Sequence, residues 1–463
     1  MKKFARAIVA LLLVSLVAVA CGEDRDDDAA IEDTPTTAEG ASSDGGDETW
    51  GDLESPCGEG EGGGATDVGV TEDAITIGYG DDAGFASSPG LNHEIGDAVK
   101  AMIAWCNEQG GINGREIKGN YYDGKITEVN NAITQACNDK VFMLVGEGYA
   151  LDAAQEQTRL GCDLPAFPTF AVSPQFANAP LMISAVPNPV DFQPITEANW
   201  YAKTYPEKAK KLAFMYANYA ATQDTAEKAK STWPKVGMVD LKCDQVYNIT
   251  GESDWKPFIQ KLKDCGAEVV TFVGSPYPSF ENMLEAADQL DYHPDWLLQA
   301  NFYDQQLAKW NTSGYADRIF VRSQDIPFEH ADKSPATQKY MDVVEADGGD
   351  ISALGLHAAS AFLLWATSVK ECGDEVTRDC VLEKAAAQHE WDGGGMSGPA
   401  DAGKNMPTAC EVVVTLEGTK WVQVLPEEPG EFDCDEDNVQ KASGPVVDKV
   451  ELDENRVVQD FAQ

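Results

Sequence analysis

The order of apolar runs along this chain is the feature that most constrains its fold. Short apolar runs alternate with amphipathic helical stretches from about residue 72 onward. The run at residues 141–146 is apolar throughout, which is typical of a strand buried on both faces of a parallel sheet. A second alternating series begins near residue 211. The sequence therefore predicts an α/β protein with two doubly wound, Rossmann-like lobes.

Predicted element positions follow from apolar period and from turn residues. Strands are expected at 74–79, 141–146, 166–172, 181–186, 211–216, 240–247, 268–273, 296–300 and 318–321. Helices are expected at 96–108, 130–138, 153–160, 222–232, 255–265, 280–290, 336–345, 353–369 and 381–389, and a hairpin at 411–425. About 400 residues of patterned sequence are more than one ordinary domain holds, which suits two lobes.

The first 20 residues are typical of a secretory signal peptide. Lys2, Lys3 and Arg6 precede an apolar run that is too short to span a bilayer as a helix. The run ends in Ala-Val-Ala before Cys21, which resembles the lipobox of bacterial lipoproteins. The resemblance implies cleavage before Cys21 and acylation of that residue. Ordinary cleavage after Ala20, leaving a free Cys21, is the alternative.

Acidic, small and polar residues dominate the segment at 21–66. It holds fifteen Asp and Glu and a single basic residue, Arg25, so it predicts an extended, disordered tether. The whole chain carries a formal charge of -44. Such a charge argues against nucleic acid as a partner and against docking on an anionic membrane surface.

Cysteine usage favours an exported protein. The chain has eleven cysteines, and without Cys21 an even number of ten remains. None of them is spaced as in a metal site or a redox motif. Connectivity does not follow from sequence. The candidate pairs are Cys137–Cys162, Cys243–Cys265, Cys372–Cys380 and Cys410–Cys434, which leaves Cys57–Cys106.

The stretch WCNEQGGINGREI at residues 105–117 is the most distinctive motif of the chain. Its two glycines suit a helix end with positive φ, and Asn113-Gly114 suits a tight turn. The stretch resembles the same turn in leucine/branched-chain amino-acid-binding proteins, the type I periplasmic binding proteins of ABC transporters. The likeness extends over roughly residues 70–430.

This resemblance implies a division of the chain and a mode of action. Residues 70–193 and 327–398 would form lobe 1, and residues 194–326 and 399–435 would form lobe 2. Three crossing strands would form a hinge between the lobes, and residues 436–463 would be an acidic tail. A small polar ligand, such as an amino acid or amide, would bind between the lobes and pass to an ABC permease. The protein would be a monomer without a cofactor, held by its lipid on the outer face of the cell membrane.

Ligand-contacting residues are expected in loops at the carboxyl ends of strands, where open α/β sheets bind. The candidates are Asp82, Ser87, Glu147, Tyr149, Ala150, Ser173, Tyr219, Ser275, Tyr277, Asn301 and Asp304. Tyr277 matches the family best. Structural roles compete at several positions: core packing at Tyr277, turn formation at Ser173 and a helix N-cap at Asp304.

Two positions depart from the family's pattern for holding an amino-acid carboxylate. Ala150 and Val172 stand where the resemblance implies hydroxyl side chains, and Ser173 is adjacent to the second. Either the alignment is wrong by one residue or the ligand is not a simple amino acid.

Catalytic interpretations find little support in the sequence. The five histidines lack metal-ligand spacing, and neither a nucleophile elbow nor a phosphate-binding loop is present. A secreted hydrolase is therefore the weakest hypothesis. A sensory receptor of the same fold, coupled to a signalling partner, is the main alternative to transport.

Overall fold

The computed structural model describes residues 49–459, so the predicted signal peptide and Cys21 lie outside the described part. The described chain begins with a hairpin of two short strands, β1 (Thr49–Trp50) and β2 (Leu53–Glu54). Trp50 is fully buried and packs edge-on against Trp105. The prediction of a tether reaching residue 66 is therefore wrong from residue 49 onward, because burial of this indole holds the acidic segment on the protein.

Four parallel strands form the first sheet, in the spatial order β4-β3-β5-β6. They are β3 (Ala74–Tyr79), β4 (Glu116–Tyr121), β5 (Leu144–Val145) and β6 (Ala166–Phe167). The helices between and after them are α1 (His93–Glu108), α2 (Val129–Asp139), α3 (Glu156–Gly161) and α4 (Pro174–Ala177). We call this sheet and the helices packed on it the first lobe.

The glycine motif after α1 adopts the conformation that the sequence predicts. Gly110 and Gly111 have φ of 102° and 77°, and the Gly111 amide donates to the Cys106 carbonyl at 3.0 Å. A Cβ on Gly111 would lie 1.9 Å from the Arg115 carbonyl oxygen, so no other residue fits there. Arg115 is fully buried and donates to the carbonyls of Thr71 and Asp374. The motif thus ends one helix and fixes the start of β4.

The chain then enters the second lobe through β7 (Phe192–Pro194) and α5 (Thr196–Thr204). A parallel series follows, with strands β8 (Leu212–Ala217), β9 (Gln245–Tyr247), β10 (Val269–Val273), β11 (Asp295–Leu298) and β12 (Ile319–Ser323). Its helices are α6 (Ala220–Thr232), α7 (Lys256–Cys265), α8 (Glu281–Gln289) and α9 (Gln305–Trp310).

Three helices return to the first lobe, namely α10 (Pro335–Ala346), α11 (Ala353–Glu371) and α12 (Arg378–Ala386). The long apolar helix α11 is buried over most of its length and packs on α1. The chain then adds β13 (Val412–Glu417) and β14 (Lys420–Leu425) antiparallel to β12. The second sheet has the order β14-β13-β12-β11-β10-β8-β9. No helix within residues 49–459 is both long and apolar enough to cross a bilayer.

The C-terminal segment is packed across the connections between the lobes and is not a loose tail. Its strand β15 (Val439–Lys441) pairs antiparallel with β7. Arg456 binds Asp191 through two nitrogens, at 2.9 and 2.6 Å, and Lys449 forms an ion pair with Asp224. The other two crossings meet at a single antiparallel bridge between Asp325 and Ser397. The predicted three-stranded hinge is thus supplemented by a strand that composition did not suggest.

All five candidate cysteine pairs are disulfides in the structure. The pair Cys57–Cys106 joins residues 49 positions apart and fastens the N-terminal hairpin segment to α1. The pair Cys372–Cys380 joins residues only 8 positions apart. Because a cross-link restricts the unfolded chain more when it closes a longer loop, the first should stabilise the protein more.

We predict that replacing Cys57 and Cys106 by Ser lowers the free energy of unfolding by about 4 kcal/mol, against about 2.5 kcal/mol for Cys372 and Cys380. Urea unfolding of the two double variants beside the unaltered protein measures both losses. A larger loss in the Cys372 and Cys380 variant would contradict the expectation.

Candidate functional site

A cavity of about 210 Å³ lies between the two lobes. Its first-lobe walls come from the loops after β3, β4, β5 and β6 and from α11. Its second-lobe walls come from the segments that follow β8, β9, β10 and β11. Parallel strands end at one edge of their sheet, so the chain brings both sets of loops to the same cleft.

The lining is largely apolar and aromatic. Phe85, Phe170, Tyr219, Tyr247 and Phe302 contribute rings to it. Hydroxyl and amide groups are spread around the wall, whereas no Asp or Glu is among the described lining residues. Such a site suits a ligand with an apolar body and few polar ends.

Six of the eleven predicted contact residues line this cavity. They are Ser87, Ala150, Tyr219, Ser275, Tyr277 and Asn301. The Asn301 amide donates to the Gly274 carbonyl at 2.9 Å, which holds two neighbouring loops of the second lobe together. The six come from five different loops, two in the first lobe and three in the second.

Tyr277 connects the cavity wall to the opposite lobe. Its hydroxyl donates to Asp304 at 3.0 Å, and its carbonyl accepts from Ser275 at 2.9 Å. The same carbonyl accepts from Ser88 of the first lobe at 3.4 Å. Burial, with nearby Glu94 and Asp304, raises the pKa of the Tyr277 phenol well above its usual value. This side chain is therefore neutral and acts as a donor at the place where the lobes meet.

Asp82 does not line the cavity, which corrects one predicted contact. Its carboxylate is buried and accepts from the backbone amides of Ile126 and Ala150, each at 2.6 Å. Burial raises the pKa of Asp82 to about 7, although the amide bonds oppose the shift. Its role is to hold two cavity loops in place.

Four further predicted contacts also point away from the cavity, for separate reasons. The Tyr149 hydroxyl donates to the Tyr122 carbonyl at 2.9 Å. Ser173 and Asp304 cap the N-termini of α4 and α9, the competing roles that the sequence left open. Glu147 is fully buried, and burial raises its pKa to about 8.

Sequence reasoning missed three polar residues at the base of the cavity. Arg322 and Gln324 come from the end of β12 and the crossing that follows it, and His357 comes from α11. His357 Nε2 lies 2.9 Å from Asp325. The sequence does mark two of them, since Arg322 is a lone cation in an apolar strand and His357 is a lone polar ring in an apolar helix. Neither lies in a loop that follows a strand, which is where ligand contacts are expected in this fold.

A buried acid lies where the rims of the lobes meet. Glu94, in the first turn of α1, is 4% exposed, and its Oε2 has no hydrogen-bond partner among the described residues. Burial, then the negative charge of Asp304, raises the pKa of Glu94 to about 8. Nearby, Gln306 of the second lobe donates to Asp350 at 3.1 Å.

No group of residues within 49–459 is arranged to hold a metal ion.

We predict that Glu94→Gln stabilises the protein at high pH and has little effect near pH 5. The folded state binds this proton more tightly than the unfolded state, so stability falls as pH rises from about 4.5 to about 8. The glutamine cannot ionise and avoids that loss. We expect the substitution to raise the free energy of unfolding by roughly 1–2 kcal/mol at pH 9, which is typical for a buried group without a partner.

Thermal unfolding from pH 5 to pH 9 measures the effect. Glu108→Gln, at the exposed end of the same helix, is the matched control and should show no such rise. A pH-independent effect of Glu94→Gln would contradict the prediction.

Comparison with known proteins agrees with this geometry. A family model described as "Periplasmic binding protein" matches residues 75–420. No curated protein matches the chain.

Several solved structures are similar. One is a fatty acid ABC transporter substrate-binding protein from Thermomonospora curvata, with 15% identity, a TM-score of 0.67 and coverage of 82% of this chain and 97% of that one. A second is the branched-chain amino acid transporter substrate-binding protein LivJ from Streptococcus pneumoniae, in complex with isoleucine. It has 16% identity and a TM-score of 0.60, and the match covers 76% of this chain and 100% of that one.

A third is an ABC transporter solute-binding protein from R. palustris in complex with 4-hydroxybenzoate. It has 16% identity and a TM-score of 0.61, and the match covers 80% of this chain and 98% of that one. At such identities these likenesses establish the fold alone. The family model spans most of the chain and confirms the resemblance seen in the sequence. The chain belongs to the periplasmic binding protein family, whose members are substrate-binding proteins of ABC transporters and not enzymes.

Proposed function

We propose that this protein captures a small ligand with an apolar body between its lobes, outside the cytoplasm, and delivers it to an ABC permease. The observation that carries the proposal is the cavity between the lobes, lined by loops from both sheets. A ligand that touches both walls favours the closed arrangement, because it gains contacts that the open one lacks. The permease would bind that closed form.

An α-amino acid fits this cavity poorly. Its ammonium group needs an acidic partner when buried, and no carboxylate is among the described lining residues. Asp304, the predicted amine partner, caps α9 and accepts from Tyr277 instead. Structural neighbours of the same fold are named for a fatty acid, for 4-hydroxybenzoate and for isoleucine, so the choice among ligand classes rests on the lining residues.

We expect aromatic or aliphatic acids such as benzoate or octanoate, and not leucine, to stabilise the purified chain against heat. A ligand present at 100 times its Kd should add about 2.7 kcal/mol to the free energy of unfolding. Thermal shift and calorimetry across a panel of acids, amides and amino acids measure this. A panel in which leucine alone binds would overturn the choice of ligand class, and a panel without any binding would overturn capture.

A bulky residue at the rim tests whether the ligand occupies this cavity. Ser87 lines it, whereas the neighbouring Ala86 is exposed and does not. We expect Ser87→Trp to weaken binding of any ligand found in the panel by roughly 10-fold or more, by excluding it from contacts worth at least 1.4 kcal/mol. Ala86→Trp should leave the affinity unchanged. Equal effects of the two variants would place the ligand elsewhere.

We further propose that Cys21 carries the lipid that anchors the protein to the outer face of the cell membrane. The proposal rests on the small residues before Cys21 and on the five disulfides, which are typical of exported proteins. We expect Cys21→Ser to move the protein from the membrane fraction to the soluble fraction and to abolish labelling by a palmitate analogue. Ser15→Ala, in the same leader, should alter neither. Membrane retention of unlabelled Cys21→Ser would contradict the anchor.

A further inference from the structure

Arg322 occupies an unusual position at the base of the cavity. It lies in β12 with its side chain 11% exposed, and it is the one Lys or Arg among the described lining residues. Strand residues on either side of it, Val321 and Ser323, are fully buried. A cation placed in such a strand is costly unless anions surround it, so its surroundings show what it can bind.

The protein satisfies this guanidinium only in part. Nη1 donates to Glu411 at 2.8 Å. Nε is buried and has no hydrogen-bond partner among the described residues, since Glu197 Oε2 lies 3.6 Å away. A guanidinium offers five N–H donors in a planar fork that suits carboxylates. Nη2 makes no hydrogen bond to the described residues and is not among the enclosed atoms, so this end of the fork has capacity for a further acceptor.

The neighbouring acids leave part of the positive charge uncompensated. Burial raises the pKa of Glu197 to about 8, against the attraction of Arg322. A carboxyl with that pKa is mostly protonated at neutral pH and carries little charge. Neither oxygen of Glu197 has a hydrogen-bond partner among the described residues. Glu411, which also accepts from Thr196, is then the principal counterion of Arg322.

Two first-lobe positions in the lining offer a carboxylate no side-chain hydrogen bond. Ala150 and Val172 stand at the positions where the family resemblance implies hydroxyl side chains, and both line the cavity. A methyl group and an isopropyl group cannot donate hydrogen bonds. Arg322 is the one Lys or Arg side chain that the described lining offers to an anionic group.

We propose that Arg322 is the specificity-determining residue of the site and binds the carboxylate of a monocarboxylic acid whose apolar body lies among the aromatic rings. This inference rests on the proposed capture of a ligand in the cavity and adds the ligand's chemical class. Gln324 and His357 also line the cavity and offer further polar groups.

Matched pairs of probes test the proposal with the purified full chain. Benzoate and benzamide share one skeleton, octanoate and octanamide another, and calorimetry gives the affinity of each. We expect the acid of at least one pair to bind roughly 10-fold or more tightly than its amide, as a charge-assisted hydrogen bond implies. An amide that binds as tightly as its acid would overturn the inference. This comparison needs no variant.

Substitutions identify the side chain responsible. We expect Arg322→Gln to weaken binding of the acid by roughly 10- to 100-fold and to change the affinity for the amide by less than about 3-fold. Arg322→Lys should recover part of the loss, because it keeps the charge without the fork. Arg318→Gln is the matched control, since Arg318 lies outside the cavity and pairs with Asp295. It should leave both affinities unchanged.

The outcomes separate this inference from the proposed function. Equal losses for acid and amide in Arg322→Gln would mean that the residue only supports the fold, and would overturn the inference. Binding of amino acids or neutral compounds without any acid would overturn it too, while capture itself would stand. A chain that binds no compound of any class would overturn both.

Discussion

The common direction of strands β3 to β6 in the first sheet and of β8 to β12 in the second is the constraint on which the rest of this protein depends. In a parallel sheet every strand ends at the same edge, and the loops that follow gather there. Two such sheets are connected so that the loops after β3 to β6 and after β8 to β11 enclose one cavity. The position of the ligand site is therefore set by the direction of the strands and by the way the chain crosses between the sheets. The chemistry of the site depends on individual loop residues.

Buried charge is the second theme of the molecule. Asp82 holds two cavity loops by their backbone amides, Glu94 lies unpaired where the lobes meet, and Glu197 stands beside Arg322. Each of these carboxyls has its pKa raised by burial. A chain with a charge of -44 can bury acids in this way only when they are neutral or fully hydrogen-bonded.

The ends of the chain show where composition misleads. Residues 49–66 and 436–459 are acidic and rich in polar groups, and the sequence predicts a disordered tether for the first and an acidic tail for the second. The structure nevertheless packs both, because a few residues in each find partners. Trp50 is buried against Trp105, and Arg456 binds Asp191 beside the crossing strand β7. Average composition cannot reveal such contacts, since one indole or one bidentate ion pair hardly alters it.

The sequence by itself determined the fold class, the two series of strands and helices and the turn at Gly110-Gly111. These depend on apolar period and on local backbone conformation, both of which can be recognised within a few residues. It also singled out loops that line the cavity in the structure, among them the loop with Ser275 and Tyr277. Only the tertiary structure decided that Arg322 and His357 reach the cavity, and that Asp82, Tyr149 and Asp304 are turned to backbone and capping partners. The reason is that the partner of a side chain depends on how segments far apart in the sequence pack together. Such packing produces no regular spacing of residues that could be recognised in the sequence.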